Sequence, residues 1–516
     1  MAESTTSNNK RIAKNTLFLY FRMLLTMAVS LYTSRVVLDA LGVEDFGIYN
    51  VVGGVVAMFG FINTSMASAT QRFMSFSLGR DSCDLLRKTF STSLFIHLLI
   101  SVVVFILSET IGLWFLWNKM QIPVERMDAA FWVFQCSIFA MIIMIISVPY
   151  NALIIAHEKM GTFAYISILE TILKLTVAIL VLHSSSDKLI FYAFLLLLMQ
   201  LFIRSCYRLY CNRHFKESRF VWKFEKPLFK EMLSFSVWTM NGNLAIIGYT
   251  QGLNILLNVF FGPAVNAARG VAVQVQDAVY RFSQSFLMAV NPQITKAYSK
   301  GDLSYMHQLL IKSSKYSYFL LLIISLPILF QSYQLLSWWL KDVPEYADVF
   351  LRIILCVNML SVLSRPIVTS IHATGKIKQF QIIEGSILLC IVPISYILLS
   401  FFNCTPSIVF LVHLFVELIA LYARIKIVFP KIKMNIKVYN ESVILPIIKV
   451  SLVVAILPFM CSFIMDEQDI YSFVVITFIC IISSVISIYF IGCSNQERLF
   501  IRTHINEYLR KLKNRT

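Results

Sequence analysis

Apolar runs long enough to cross a bilayer recur along this entire chain, and no motif constrains its fold as strongly. Backbone N–H and C=O groups cannot stay unpaired in hydrocarbon, so each such run must fold as a helix that satisfies its own hydrogen bonds. A spanning helix needs about 20 mostly apolar residues. Segments of that length lie at 16–38, 47–77, 89–113, 128–156, 163–183, 189–211, 231–261, 265–292, 314–337, 347–371, 380–402, 406–428, 444–465 and 471–492. With 58% of 516 residues apolar, these runs use nearly all the apolar content and leave no room for a large soluble domain. The expected fold is all-α, a polytopic membrane protein of about 14 transmembrane helices. Segments 231–261 and 265–292 are the least lipid-like, being long, polar and glycine-containing. The N-terminus, MAESTTSNNKRIAK, is polar and has no cleavage motif behind a short apolar core, so the first run is expected to stay as a span.

Charge then orients the spans. Lys and Arg number 45 against 28 Asp and Glu, for a net +17. Such a balance can reflect nucleic acid, an anionic surface or topology. With the N-terminus inside, the inside segments hold 32 Lys and Arg and the outside segments five. That asymmetry is the positive-inside pattern and puts both termini in the cytoplasm. Most of the basic balance is therefore topology, and no nucleic-acid partner is needed to explain it. The longest inside segment, 212–230, is a basic linker. It separates an N-terminal six-helix lobe, 1–211, from a C-terminal six-helix lobe, 231–428; two extra helices, 444–492, and a basic cytoplasmic tail, 493–516, follow. Leu38-Asp39-Ala40-Leu41-Gly42 and later Gly79-Arg80-Asp81 are echoed by Asn258-Val259-Phe260-Phe261-Gly262 and later Lys300-Gly301-Asp302, about 220 residues on, as a parallel repeat would require.

Signatures of catalysis are missing. There is no G-x-x-x-x-G-K-[ST] phosphate loop and no H-E-x-x-H; His157-Glu158-Lys159 lacks a second histidine. The outside segments are too short to build a polar site for paired catalytic carboxylates. The ten cysteines are scattered with no C-x-x-C, and are expected as small buried apolar residues rather than a disulfide framework or metal site. No cofactor and no metal are expected, and the protein reads as a transporter, not an enzyme.

Charges inside the spans are informative because each costs about 2.5–3.5 kcal/mol at a helix centre. Counted to the spans rather than to the adjoining segments, the cations are Arg22, Arg35, Arg72, Lys174, Arg281, Arg352, Arg365 and Lys449, and the anions are Glu170, Asp277, Glu384 and Glu417. Glu170 and Lys174 have the spacing of a local pair, as have Asp277 and Arg281. Arg352 and Lys449 lie near span ends, where snorkelling to the headgroups explains them. The cationic surplus favours an anionic, phosphate-bearing substrate over a cationic drug. Depth and helix face single out Arg72, Arg281 and Arg365 as cavity cations. Gln274, Asp277, Arg281 and Gln284 share one face of a single helix. Thr26 on the first span, Asn241 and Gln251 on the seventh, and Gln274 and Gln284 on the eighth complete a polar lining. Asp277 and Glu170 are the candidates for coupling to an ion, Na+ or H+.

The stretch Ser34-Arg35-Val36-Val37-Leu38-Asp39-Ala40-Leu41-Gly42-Val43-Glu44-Asp45-Phe46-Gly47-Ile48-Tyr49-Asn50 resembles the first hairpin of the polysaccharide transporters. These are the O-antigen and lipid-linked oligosaccharide flippases, related to multidrug and toxin extruders. The resemblance implies two six-helix lobes forming a V in the bacterial inner membrane. It also implies movement of an undecaprenyl-pyrophosphate-linked oligosaccharide, for O-antigen, capsule or a related surface glycan, from inner to outer leaflet by alternating access. Cavity arginines of that family are thought to meet the pyrophosphate, and Arg22 and Arg35 match by position. Membrane lipids and glycan assembly enzymes are the implied partners. Two other readings stay open: a multidrug extrusion antiporter, and a membrane glycan polymerase or ligase, which would need the sizeable outside loop that this chain lacks.

Overall fold

The computed structural model describes residues 2–57, 60–120, 122–219, 225–340, 342–464, 470–499 and 502–503. Positions 220–224 of the expected linker and most of the tail beyond 499 lie outside the described residues. Helices run through nearly all of what is described, with no strand among the described residues. In chain order they are α1 (Ala2–Ala57), α2 (Gly60–Gly79), α3 (Cys83–Leu107), α4 (Leu113–Asn118), α5 (Met127–Ala156), α6 (Met160–Leu182), α7 (Lys188–His214), α8 (Lys226–Phe261) and α9 (Pro263–Ser299). Then follow α10 (Leu303–Phe330), α11 (Ser332–Trp339), α12 (Ala347–Thr374), α13 (Lys378–Leu389), α14 (Ile391–Phe402), α15 (Ile408–Lys431), α16 (Ile436–Tyr439), α17 (Leu445–Ile464) and α18 (Ile470–Ser487).

Among the described residues, 12 helical segments are long and apolar enough to cross a membrane. Of the two expected spans missing from that set, 265–292 lies within α9, and the described parts of 47–77 lie within α1 and α2. The polar stripe of 265–292 dilutes its apolar content, whereas 47–77 is divided by positions 58–59, which lie outside the described residues. The protein is a polytopic all-α membrane protein. Rows of large apolar side chains left exposed, such as Leu98, Val102 and Ile106 on α3 and Leu452, Ile456 and Phe459 on α17, are the faces such helices turn to lipid.

Two glycines that the sequence echo pairs, Gly42 and Gly262, share a positive φ. Gly42 interrupts α1 at φ 76° and ψ 172°, a region that residues with a Cβ avoid. Gly262, at the equivalent place between α8 and α9, has φ 82°. Each half therefore begins with a long helix that breaks at a glycine and continues as a second, more polar one.

The chain divides into two compact units. The first comprises 1–244 with 288–306 and 372–382; the second comprises 245–287, 307–371 and 383–516. In the first unit, α5 is the central helix, and Ala130, Val133, Phe134 and Ile138 pack fully buried against Val104, Leu116 and Val181. At the end opposite the cation-rich loops, Arg126 clamps three segments. Its Nε donates to Asp45 Oδ1 at 2.9 Å and its Nη1 to Asp187 Oδ2 at 2.6 Å. Asp187 also caps α7 by accepting from the backbone N–H groups of Leu189 and Ile190. In the second unit the two extra helices dock on α10. Tyr318 and Ser451 share a hydrogen bond of 2.8 Å, Thr477 donates to Gln331, and Lys315 pairs with Glu497 at 2.6 Å.

Candidate functional site

Each unit carries its own share of the intramembrane polar residues, and the two sets have different fates. In the first unit, Arg22 is half-buried on α1 with its guanidinium 5.0 Å from the ring centre of Phe163. Its Nε has no hydrogen-bond partner, and Glu170 and Tyr207 are its electrostatic neighbours. Glu170 is taken up by Lys174 at 3.0 Å, the local pair that the spacing predicts. Thr26 returns its hydroxyl to Met23 O of the same helix, Arg35 is exposed on α1, and Asn241 is exposed on α8.

Arg72 is held differently. Its side chain is 7% exposed and lies over the rings of Phe73, Phe76 and Phe235. Nε donates to His372 O at 3.1 Å and Nη2 to Ala373 O at 3.0 Å. Those are late carbonyls of α12, of which His372 O also accepts from Gly375 N–H at 3.0 Å, and a cation there also meets the negative end of the helix dipole. Its hydrogen bonds therefore anchor a helix end.

In the second unit, Gly270, Gln274, Asp277, Arg281 and Gln284 form an exposed stripe along α9, at steps of 4, 3, 4 and 3. The opposite face, with Ala268, Ala272, Val279, Ser283 and Leu287, is buried. The spacing predicts an Asp277–Arg281 pair, but no ion pair joins them. Gln251 on α8 is exposed and accepts a long hydrogen bond from Asn254, which in turn accepts from Arg269 of α9 at 3.2 Å. Arg365 on α12 lies 5.7 Å from the ring centre of Tyr280, and its Nε lacks a partner.

Arg365 borders a charge network that sequence reasoning missed. Arg424 counts by sequence among the inside cations; it is 6% exposed within α15. Its Nε donates to Glu384 at 2.6 Å, and its Nη1 to Glu417 at 2.6 Å and to Ser364 at 2.8 Å. The signal was available: Glu417 and Arg424 are seven residues apart, two turns along one helix face. One guanidinium thereby pairs with both acids in this unit's interior.

A second missed cluster closes the cation-rich end of the first unit. The Glu158 side chain, 1% exposed in the turn between α5 and α6, meets Arg11 Nε at 2.7 Å, Lys296 Nζ at 2.5 Å and Gln293 Nε2 at 2.5 Å. Asn15 donates to the Glu158 carbonyl at 3.1 Å. Glu158 adopts φ 58°, a left-handed conformation that costs a residue with a Cβ about 1–2 kcal/mol. The turn has a counterpart. Ser147, Pro149, Ala156 and Lys159 recur as Ser364, Pro366, Ala373 and Lys376, which sets Glu158 against Gly375. Gly375 has φ 77°. The partners are related too. Arg72 stands nine residues before Asp81 and Gln293 nine before Asp302, the two repeated inside turns. Arg72 binds the end of α12 beside Gly375, and Gln293 binds the turn after α5.

Among the described residues no group of three or more His, Cys, Asp or Glu is placed to hold a metal ion.

Known proteins resemble this chain in two ways. The family described as polysaccharide biosynthesis protein matches residues 12–299. The fold is similar to that of a MATE protein carrying a point mutation, with TM-score 0.71 and 12% identity, over 82% of this chain and 96% of the other. It is similar to a multidrug resistance MATE family transporter of the MOP superfamily in an outward-facing conformation, with TM-score 0.70, 13% identity and the same coverages. It also resembles a MOP superfamily transporter from Pyrococcus furiosus, whose binding pocket is described as reversed in polarity, with TM-score 0.68, 12% identity and again 82% and 96% coverage. No curated protein sequence matches.

Proposed function

The chain belongs to the polysaccharide biosynthesis protein family, and from that premise we propose that it is a transporter that moves a lipid-linked oligosaccharide across the membrane. The substrate is an undecaprenyl-pyrophosphate-linked glycan unit of O-antigen, capsule or a related surface polymer. It passes from inner to outer leaflet of the bacterial inner membrane, with both termini of the protein cytoplasmic. The two halves rock to alternate access, as is general for transporters built from repeats.

The observation that carries this reading is the unequal pairing of charges in the spans. Glu170 is paired with Lys174, and Glu384 and Glu417 with Arg424. No ion pair engages Arg22, Arg35 or Arg281 among the described residues, and Arg365 keeps an unpartnered Nε. What remains for a ligand is cationic, and a guanidinium offers a planar fork that matches phosphate oxygens. The exposed stripe with Gln274 and Gln284 supplies hydrogen-bonding groups for a glycan. A multidrug extruder would instead need unpaired acids for organic cations, and three of the four acids singled out in the spans are in ion pairs. The fourth, Asp277, exposed and outside any ion pair among the described residues, is the better candidate for a coupling ion, Na+ or H+.

Arg22→Ala and Arg281→Ala should each cut glycan export at least about tenfold, the scale of one charge-assisted hydrogen bond. Membrane levels should stay normal, and lipid-linked units should be retained on the inner leaflet. Full export by both variants would overturn the cationic path. Single unpolymerised units appearing at the surface would instead favour a polymerase.

A further inference from the structure

The cluster around Glu158 has the make-up of an anion site that is already filled. A guanidinium, an ammonium and a carboxamide N–H converge on one carboxylate that is almost fully buried. The donors come from α1 and α9, whereas the carboxylate comes from the turn after α5. Gly79 packs so closely on α9 that a Cβ there would stand 2.8 Å from Lys296 O, which seats the backbone of Lys296 against the end of α2. Without the Glu158 carboxylate, the same pocket would turn the Arg11 guanidinium and the Lys296 ammonium towards another anion.

The turn itself shows what the carboxylate is for. The repeat places Gly375, which accepts a left-handed φ without strain, where this half carries a glutamate at φ 58°. A side chain kept at a strained position and aimed at three donors is retained for the contact it makes.

We propose that Arg11, Gln293 and Lys296 form a phosphoanion-binding site at the cation-rich end, and that Glu158 occupies it as an internal stand-in for the ligand. An arriving pyrophosphate displaces the carboxylate, takes over its charge-assisted hydrogen bonds, and frees the α5–α6 turn from α9, while Asn15 still holds its backbone to α1. Ligand arrival is thereby coupled to opening of that end. The proposal rests on the proposed function only for the natural source of the phosphate.

The test is binding of inorganic pyrophosphate to the full chain in nanodiscs of phosphatidylcholine. Glu158→Gln should bind it about tenfold or more tightly than the unmodified protein, since the competing charge is gone. Adding Lys296→Gln to that variant should abolish the gain. Equal affinity in Glu158→Gln and the unmodified protein would overturn the site. Should Glu158→Gln not fold, the unmodified protein decides. Hydrogen exchange at 155–160 should rise as pyrophosphate saturates it, and no binding or unchanged exchange refutes the displacement. Phosphatidylglycerol in the nanodisc distinguishes the sources: competition with pyrophosphate makes a lipid headgroup the occupant, and its absence makes it the pyrophosphate of the transported lipid. Binding is read without transport, so the fate of the export assay on Arg22 and Arg281 does not decide it.

Discussion

At the scale of single residues, burial separates charges that are alike in sequence. Arg72, Arg365 and Arg424 all lie in spanning helices, yet Arg72 anchors a helix end and Arg424 pairs with two acids, while Arg365 keeps an unpartnered Nε. Removing one member of a buried ion pair leaves the other uncompensated, at a cost of about 3–5 kcal/mol. Arg424→Met should therefore lower the thermal unfolding temperature far more than Arg35→Met, whose guanidinium is exposed. Equal shifts in a thermal melt would mean that the Arg424 network contributes no stability. The existence of Glu384 and Glu417 as intramembrane acids was legible in the sequence. Their partner was legible only in part: the seven-residue spacing puts Arg424 on the face of Glu417, but it sits near enough to a span end to resemble a loop charge, and only packing shows which way it turns.

At the scale of elements, periodicity alone identifies the polar stripe of α9, and the structure leaves all of that stripe uncovered. The Asp277–Arg281 pair expected from spacing does not form, since spacing permits a contact without requiring a rotamer. Gly42 is the element-level feature with the plainest consequence. Its ψ of 172° with positive φ lies in territory reserved for glycine, so Gly42→Ala should destabilise the protein by about 1–3 kcal/mol. Gly270→Ala, in open space on a regular helix, is the control and should be neutral or slightly stabilising. Matching melting temperatures for the two variants would show that the break at Gly42 is not needed.

At the scale of the whole molecule, charge asymmetry along the chain reflects which loops lie at which end. Arg126 with Asp45 and Asp187 shows such loop charges held by tertiary contact. Partial burial pushes the Asp187 carboxyl up, but the Arg126 hydrogen bond and the N–H groups of Ile190 and Leu189 more than offset it, so its pKa lies below the ordinary carboxylate value. A lowered folded pKa contributes stability above the unfolded value and loses it as pH falls. The stabilising contribution of this clamp should therefore be intact at neutral pH, begin to fall near pH about 4, and vanish below the lowered value. Asp187→Asn should flatten that part of the stability–pH profile; an unaltered acid limb would assign the acid sensitivity elsewhere.

Much about this protein is determined by its sequence alone. The length of the apolar runs dictates helices, because hydrocarbon leaves backbone groups no other partner. The placement of Lys and Arg predicts their orientation, and the glycine and aspartate turns recur about 220 residues apart. These are properties of single segments, or of their order, and need no knowledge of neighbours. The tertiary structure decided which charges are spent. Glu158 looked like part of a failed metal signature until Arg11, Gln293 and Lys296, distant in the chain, converged on it. Whether an ionised group inside a membrane is a ligand, a clamp or a free site depends on what lies within about 4 Å, where a low dielectric makes pairing strong. That distance is set by the packing of helices far apart in sequence.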